Sequence, residues 1–238
     1  MRTRGEFAAH PVIQLVLVML DHMRMLQLAD SALPIGGYAF SAGLEALAKM
    51  GLVQTRSDFI HHLETVIAEA GGFDLRFMHS FYHTPEGDDA WIEYDALLTI
   101  PAIRRASTTQ GRGLLRFFTH TPVEDCAEIV RARVKATRTP PHYLPALTVC
   151  LKSLTVPLPE LSGMYLFGIV RDQISAAIRL GLIGPLEGHR LQFHMHAACA
   201  ATIAGGAGQG YETAFRSAPA LEIAQASHSR VYSRLFQN

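Results

Sequence analysis

LSGMYLFGIVRDQISAAIRLGLI, residues Leu161–Ile183, is the stretch of this sequence that decides the fold. Its apolar content is high enough to suggest a membrane span, but Arg171, Asp172, Gln173 and Arg179 interrupt it. A span is a poor interpretation, because charged side chains are costly at membrane depth. The stretch instead predicts the buried central helix of a soluble protein.

Helical spacing of apolar residues continues on both sides of this stretch. It runs over Pro11–Leu28, and that helix should end before Pro34 because a residue preceding proline disfavours the α conformation. A second helix is expected over Phe40–Met50, with Ser41 as its N-cap and Gly51 closing it. Further helical segments follow, separated by proline and glycine, and no long strand-like alternation is present.

These segments predict an all-α, single-domain bundle of about eight to ten helices. TRTPPHYLP, Thr137–Pro145, should be extended, because its three prolines lack amide donors and fix φ. Residues 1–10 are expected to form a disordered tail and residues 11–204 the helical core. Residues 205–238 would then hold a flexible glycine linker, GGAGQG, followed by a partner-binding C-terminal helix or tail.

Composition and charge exclude several classes of protein. The chain has 238 residues, and its 21 basic side chains balance its 21 acidic ones. A net charge of zero argues against nucleic-acid binding through a basic field and against attachment to an anionic membrane. Cys126, Cys150 and Cys199 are odd in number and far apart, so a disulfide framework is not supported and a reducing cytoplasm is the expected location.

The histidines and cysteines suggest no catalytic site and no dedicated metal site. No nucleophile elbow, phosphate loop or HExxH pattern is present, so neither an enzymatic activity nor a bound cofactor is predicted. His79 and His83 stand four apart, a spacing that places two imidazoles on one helix face. They are the alternative to this interpretation: a histidine-rich protein that carries nickel directly.

Two segments carry more specific chemistry than a helical bundle requires. LQLADSALPIGGYAFSAGLEAL, Leu26–Leu47, combines a proline-glycine turn with an aromatic residue and polar groups. The terminal SRVYSRLFQN places arginines and apolar residues at helical spacing, as does a segment that orders on a partner. We therefore expect partner-binding residues in both segments: Tyr38, Ser41, Glu45, Arg230, Tyr232, Arg234, Leu235 and Phe236.

The same segments carry a family resemblance. Leu26–Glu45 resembles the L-x-L-x-D-S-x-L-P-x-G-[GS]-[FY]-x-x-S-x-G-L-E signature of the urease accessory protein UreF family. SAAIRLGLIGPLEGHRL, Ser175–Leu191, is similar to a second family stretch, and His142-Tyr143 resembles a third. The ending at Arg234-Leu235-Phe236 matches the family's R-L-F terminus.

The resemblance implies a non-enzymatic maturation factor that forms a dimer. It would bind UreD, called UreH in some organisms, and recruit the GTPase UreG for nickel insertion into apo-urease, UreABC. By position, Tyr38, Glu45 and Arg234 would contact partners, and the tail would order against UreD. Glu45 would position or gate the GTPase, because a carboxylate cannot stabilise phosphoryl-transfer charge as an arginine does.

Overall fold

The computed structural model describes residues 11–37, 40–121, 123, 125–227 and 235–236, and the all-α class is confirmed for them. Among these residues, none of the helices has both the length and the apolar content that crossing a membrane requires. The helices have these bounds: α1 Pro11–Leu28, α2 Leu44–Lys49, α3 Arg56–Gly72, α4 Asp74–His83, α5 Asp88–Leu97, α6 Pro101–Thr119, α7 Asp125–Thr137, α8 Tyr143–Ser153, α9 Leu158–Arg179, α10 Pro185–Gly205 and α11 Pro219–Ser227.

The chain divides into two compact units, the first ending at Leu33 and the second beginning at Pro34. In the first unit, α1 covers the predicted range from Pro11 to Leu28. A short turn follows the helix, in which Asp30 Oδ1 accepts a hydrogen bond of 2.8 Å from the amide of Ala32. An aspartate that bonds the backbone two residues ahead is a common way to end a helix and reverse the chain.

The second unit contains α2–α11, and α9 is its central helix, as the sequence predicts. α9 packs against α2, α3, α4, α8 and α10. The largest side chains without solvent exposure are aromatic and lie on the surrounding helices, namely Phe59, Phe77 and Phe81. The Phe77 ring centroid lies 5.0 Å from that of Phe73 and 5.1 Å from that of Tyr94. Burial of these rings supplies much of the apolar free energy that stabilises the bundle.

Close approach of α6 to the start of α8 depends on a glycine. A Cβ atom built at Gly111 would lie 2.0 Å from the carbonyl oxygen of Pro141, so no other residue fits there. The predicted extended segment is shorter than expected: α7 continues to Thr137 and α8 begins at Tyr143. Pro145 is accommodated inside α8 because it lies in the first turn, where an amide donor is not needed.

Candidate partner-binding site

The turn Ile35–Gly37 lies against α6 and α9. A Cβ atom built at Gly113 of α6 would lie 2.9 Å from the Cα of Ile35, so the turn backbone sits directly on that helix. A Cβ atom built at Gly37 would lie 3.7 Å from Asp172 Oδ2 of α9. The proline-glycine turn that was identified in the sequence therefore packs against two helices of the core.

The second helix does not begin where the sequence predicted. Ala42 and Gly43 have φ values of 47° and 100°, which a right-handed helix cannot contain. The prediction that Ser41 is the N-cap is therefore wrong: α2 begins at Leu44 and Gly43 is the N-cap. Gly51 follows the helix with φ of 75°, as expected of a glycine that closes it.

The segment before α2 is held by amide side chains from distant helices. Ser41 is fully buried, and its carbonyl oxygen accepts a hydrogen bond of 3.2 Å from Gln173 Nε2. Gln173 Oε1 lies 2.8 Å from His62 Nε2, which extends the chain of hydrogen bonds into α3. Gln225 of α11 donates to the carbonyl oxygen of Ala42 over 3.1 Å. Three helices therefore fix the backbone that leads into α2.

Glu45 is buried with zero exposure in the first turn of α2. Its Oε1 lies 3.2 Å from Lys49 Nζ and accepts a hydrogen bond of 2.9 Å from the amide of Leu235. The guanidinium carbon of Arg179 lies 4.0 Å from the ring centroid of Phe236. The opening motif and the end of the chain, which the sequence identified separately, thus meet in one place.

The predicted site residues differ in accessibility. Ser41, Glu45 and Phe236 are buried, whereas the Leu235 side chain is 68% exposed. Of these four side chains, that of Leu235 is the accessible one. The remaining candidates lie outside the described residues: Tyr38, Arg230, Tyr232 and Arg234.

Sequence reasoning missed several residues of this site. Gln173, Gln225 and Arg179 lie far from the opening motif along the chain, and no local pattern marks them as its neighbours. Lys49 did carry a signal, because it follows Glu45 by four residues, the spacing of a helical ion pair.

Burial shifts the pKa values of titratable groups around the site. Desolvation lowers the pKa of His62, although the hydrogen bond between its Nε2 and the acceptor Oε1 of Gln173 opposes this shift, so the ring is held in its neutral form. Desolvation also raises the pKa of Asp172, although the guanidinium of Arg171, 2.7 Å away, opposes this shift. Each of the two groups has a partner in the fold, Gln173 for His62 and Arg171 for Asp172.

A second polar cluster has the residue types of a catalytic triad. Ser107 Oγ lies 3.1 Å from His142 Nδ1, and Asp95 Oδ1 lies 2.7 Å from His142 Nε2. The Ser107 hydroxyl also accepts a hydrogen bond of 3.3 Å from the amide of Tyr143, the first residue of α8. Because His142 is the N-cap of α8 and provides no side-chain cap, Ser107 caps α8 from α6. This cluster joins α5, α6 and α8.

The alternative metal pair is present on α4. The ring centroids of His79 and His83 lie 4.4 Å apart, and His83 is exposed. Burial and the neighbouring His83 lower the pKa of His79, which favours the neutral ring that binds metal. Within the part of the chain that the structure describes, no group of three or more histidine, cysteine, aspartate or glutamate residues could hold a metal ion.

Comparison with known proteins gives consistent matches. A family model described as UreF matches residues 53–196. The chain is 30% identical over 216 residues to the urease accessory protein F of Oryza sativa subsp. indica, with 88% of this chain and 82% of that relative covered. It is 33% identical over 225 residues to the urease accessory protein UreF of Arthrobacter sp. (strain FB24), with 91% and 96% covered. A bifunctional urease accessory protein UreEF from Bordetella bronchiseptica is 30% identical over 228 residues, covering 90% of this chain and 51% of that protein.

Proposed function

Because the chain belongs to the UreF family of urease accessory proteins, we propose that it binds UreD, or UreH, and recruits the GTPase UreG. In this role it serves nickel insertion into apo-urease, UreABC, in the cytoplasm. It acts as a dimer and performs no reaction of its own. Two copies related by a two-fold axis present each contact surface symmetrically.

The observation that supports this proposal best is the contact between Glu45 and Leu235. The amide of Leu235 donates to a carboxylate that has no exposure, and the neighbouring Leu235 side chain remains 68% exposed. An apolar side chain held outward by a fixed backbone is well suited to insertion into a partner, because little conformational entropy is lost on binding. The end of the chain is therefore a preorganised contact.

Buried and exposed residues of this site have different roles in the proposal. Leu235 contacts the partner directly, together with Tyr38, Arg230, Tyr232 and Arg234. Glu45, Ser41 and Phe236 act from behind as positioning residues, since each is buried. Glu45 influences the GTPase by setting the position of the C-terminal segment rather than by touching the nucleotide, because a carboxylate does not neutralise phosphate charge.

The name of the Bordetella relative supports a place among the other accessory proteins. UreEF joins UreE and UreF in one chain, and this chain is similar to about half of it. Proteins that are fused in one organism commonly act together when separate in another. We therefore extend the proposal to an assembly in which this chain works beside UreE.

Co-purification tests the proposal. The tagged chain is co-expressed with UreD, UreG and UreABC, and the bound proteins and urease activity are measured. The wild type should retain UreD and UreG, whereas Leu235→Arg should lose UreD and most urease activation. Ile92→Arg is the matched control, because Ile92 is also an exposed apolar residue, 49% exposed on α5, and its substitution should change neither result. Equal activation by Leu235→Arg and the wild type would refute the assigned contact.

Direct nickel carriage is the second candidate function, supported by the ring separation of His79 and His83. Equilibrium dialysis of the purified chain against nickel chloride distinguishes the two. Stoichiometric binding that His79→Ala removes, and that the exposed-histidine variant His61→Ala keeps, would favour carriage over recruitment of a GTPase. Failure to retain nickel would leave recruitment as the function.

A further inference from the structure

A cleft between α6 and α7 lies among basic side chains. Its cavity has a volume of about 520 Å³. Leu115, Val134 and Pro141 provide the apolar part of its lining. The remaining lining residues are polar or basic and lie on the same two helices or, for His120, directly after α6: Arg112, Arg116, Thr119, His120, Arg131 and Lys135.

The basic residues of this cleft stand in two like-charged pairs. Arg112 and Arg116 are four residues apart on α6, and Arg131 and Lys135 are four apart on α7. Like charges at this spacing on a helix destabilise it. The arrangement is unusual in a chain whose basic and acidic residues balance at 21 each.

Few carboxylates offset this charge. Arg131 Nη1 forms an ion pair of 2.6 Å with Glu128 and its other terminal nitrogen donates to Thr119. Among the described residues, no carboxylate forms an ion pair with Arg112, Arg116 or Lys135. These three cations, which surround the apolar part of the lining, therefore have no acidic partner in the described part of the chain.

We infer that this cleft binds an acidic amphipathic segment of a protein partner. An apolar side chain of that segment contacts the apolar part of the lining, and its carboxylates pair with the two like-charged pairs of basic residues. The basic side chains of the cleft favour an acidic partner segment by charge complementarity. The apolar part of the lining favours insertion of an apolar side chain from that segment. A small phosphate ligand fits less well. The end of the cleft at Thr119 and His120 is the C-terminus of α6, whose carbonyl groups carry partial negative charge.

The cleft shares no lining residue with the surface assigned to UreD and UreG. It is formed by α6 and α7, whereas Glu45 and Leu235 lie with α2 and the end of the chain. Its test therefore needs neither UreD nor UreG, and failure of one proposal does not decide the other.

Fluorescence anisotropy with a designed peptide tests the inference. The probe is a fluorescein-labelled peptide of about 14 residues, with leucines at helical spacing between glutamates. A version with glutamine in place of glutamate is the neutral control. The full chain should bind the acidic peptide, and binding should weaken at least about tenfold in Arg116→Glu/Lys135→Glu. Arg190→Glu makes the charge change of one of these two reversals on an exposed position of α10 and should leave the affinity unchanged.

Thermal unfolding separates loss of binding from loss of fold. Each reversal turns a like-charged helical pair into an opposite pair but places a carboxylate in the last turn of its helix, so the two effects oppose each other and the melting temperature of the double variant should stay close to that of the wild type. Arg112→Gln/Arg116→Gln provides a second variant with a smaller electrostatic change and should also weaken binding. Undiminished binding of the acidic peptide to both variants would overturn the inference. Displacement by inorganic phosphate, beyond the effect of sodium chloride at equal ionic strength, would also overturn it, because it would identify a small-anion site.

Discussion

The amide of Leu235 donates a hydrogen bond of 2.9 Å to Glu45 Oε1, although 190 positions separate the two residues. Lys49 Nζ approaches the same oxygen atom at 3.2 Å. A buried carboxylate must be paired or hydrogen-bonded to remain charged, and the amide of Leu235 donates one of these hydrogen bonds. The C-terminal contact therefore helps to stabilise the buried carboxylate of α2.

Glu45→Gln should lower the free energy of unfolding by about 1–3 kcal/mol, because the charged partner of Lys49 and the stronger acceptor for Leu235 are both lost. Urea denaturation measures the difference. Glu64→Gln makes the same change at an exposed position of α3 and should stay within about 0.5 kcal/mol of the wild type. A Glu45→Gln protein as stable as Glu64→Gln would show that the buried pairing contributes nothing.

Gly43→Ala should destabilise the site from its other side. Gly43 has φ of 100°, and a Cβ atom there would lie 2.9 Å from Gln225 Cγ and 3.2 Å from Leu221 Cδ1 of α11. Strain and displacement of α11 should together lower the free energy of unfolding by about 2 kcal/mol or more.

Gly163→Ala is the matched control for this substitution. Gly163 lies inside α9, and a Cβ atom there would meet nothing within 4 Å. Alanine should raise the free energy of unfolding by about 0.5–1 kcal/mol at such a position. Opposite signs for the two glycine substitutions are the expected result, and equal signs would contradict the backbone argument.

Local sequence patterns determine some helix bounds in this chain, and tertiary contacts determine others. The range of α1 and the central helix α9 follow from apolar spacing, and both were predicted. The start of α2 was not, because the positive φ values of Ala42 and Gly43 depend on packing against α11. Both halves of the candidate site were found, but their contact was not. A contact between residues 190 positions apart produces no periodic pattern in the sequence, so sequence patterns could not predict it.

Acid should destabilise the protein through its buried histidines. Desolvation lowers the pKa of His62 and of His142, so each stays neutral in the folded chain where the unfolded chain takes up a proton. Their contribution to stability is thus present above the unfolded value of 6.5 and is lost as the pH falls below it. His62→Gln should flatten this acid dependence of the free energy of unfolding.

The neighbouring His61 provides the control for this pH dependence. The His61 side chain is exposed and its Nδ1 lies 3.0 Å from the carbonyl oxygen of Ser57, so His61→Gln should leave the slope as it is in the wild type. Urea denaturation at about pH 7.5, 6.5 and 5.5 measures the slopes. A slope unchanged by His62→Gln would rule out proton uptake at this ring as the cause.

Asp74 should act in the opposite direction. Burial raises its pKa to about 6, against the attraction of Arg216 and a hydrogen bond from Tyr165. The folded chain binds this proton more tightly than the unfolded chain, so the contribution of Asp74 to stability is lost as the pH rises from 3.8 through about 6. Asp74→Asn should therefore stabilise the protein by up to about 3 kcal/mol at neutral pH, and this gain should shrink as the pH falls and vanish below 3.8. A variant that is less stable than the wild type at neutral pH would refute this sign.

The most direct test of the account removes the C-terminal segment and measures urease activation. A chain that ends at Ser227 keeps α11, whose Leu221 and Ala224 are buried, so the helical fold should persist by circular dichroism. The account predicts that this chain, co-expressed with UreD, UreG and UreABC, fails to retain UreD and yields inactive urease. Full urease activation by the shortened chain would contradict the claim that partners bind the C-terminal segment whose Leu235 amide contacts Glu45.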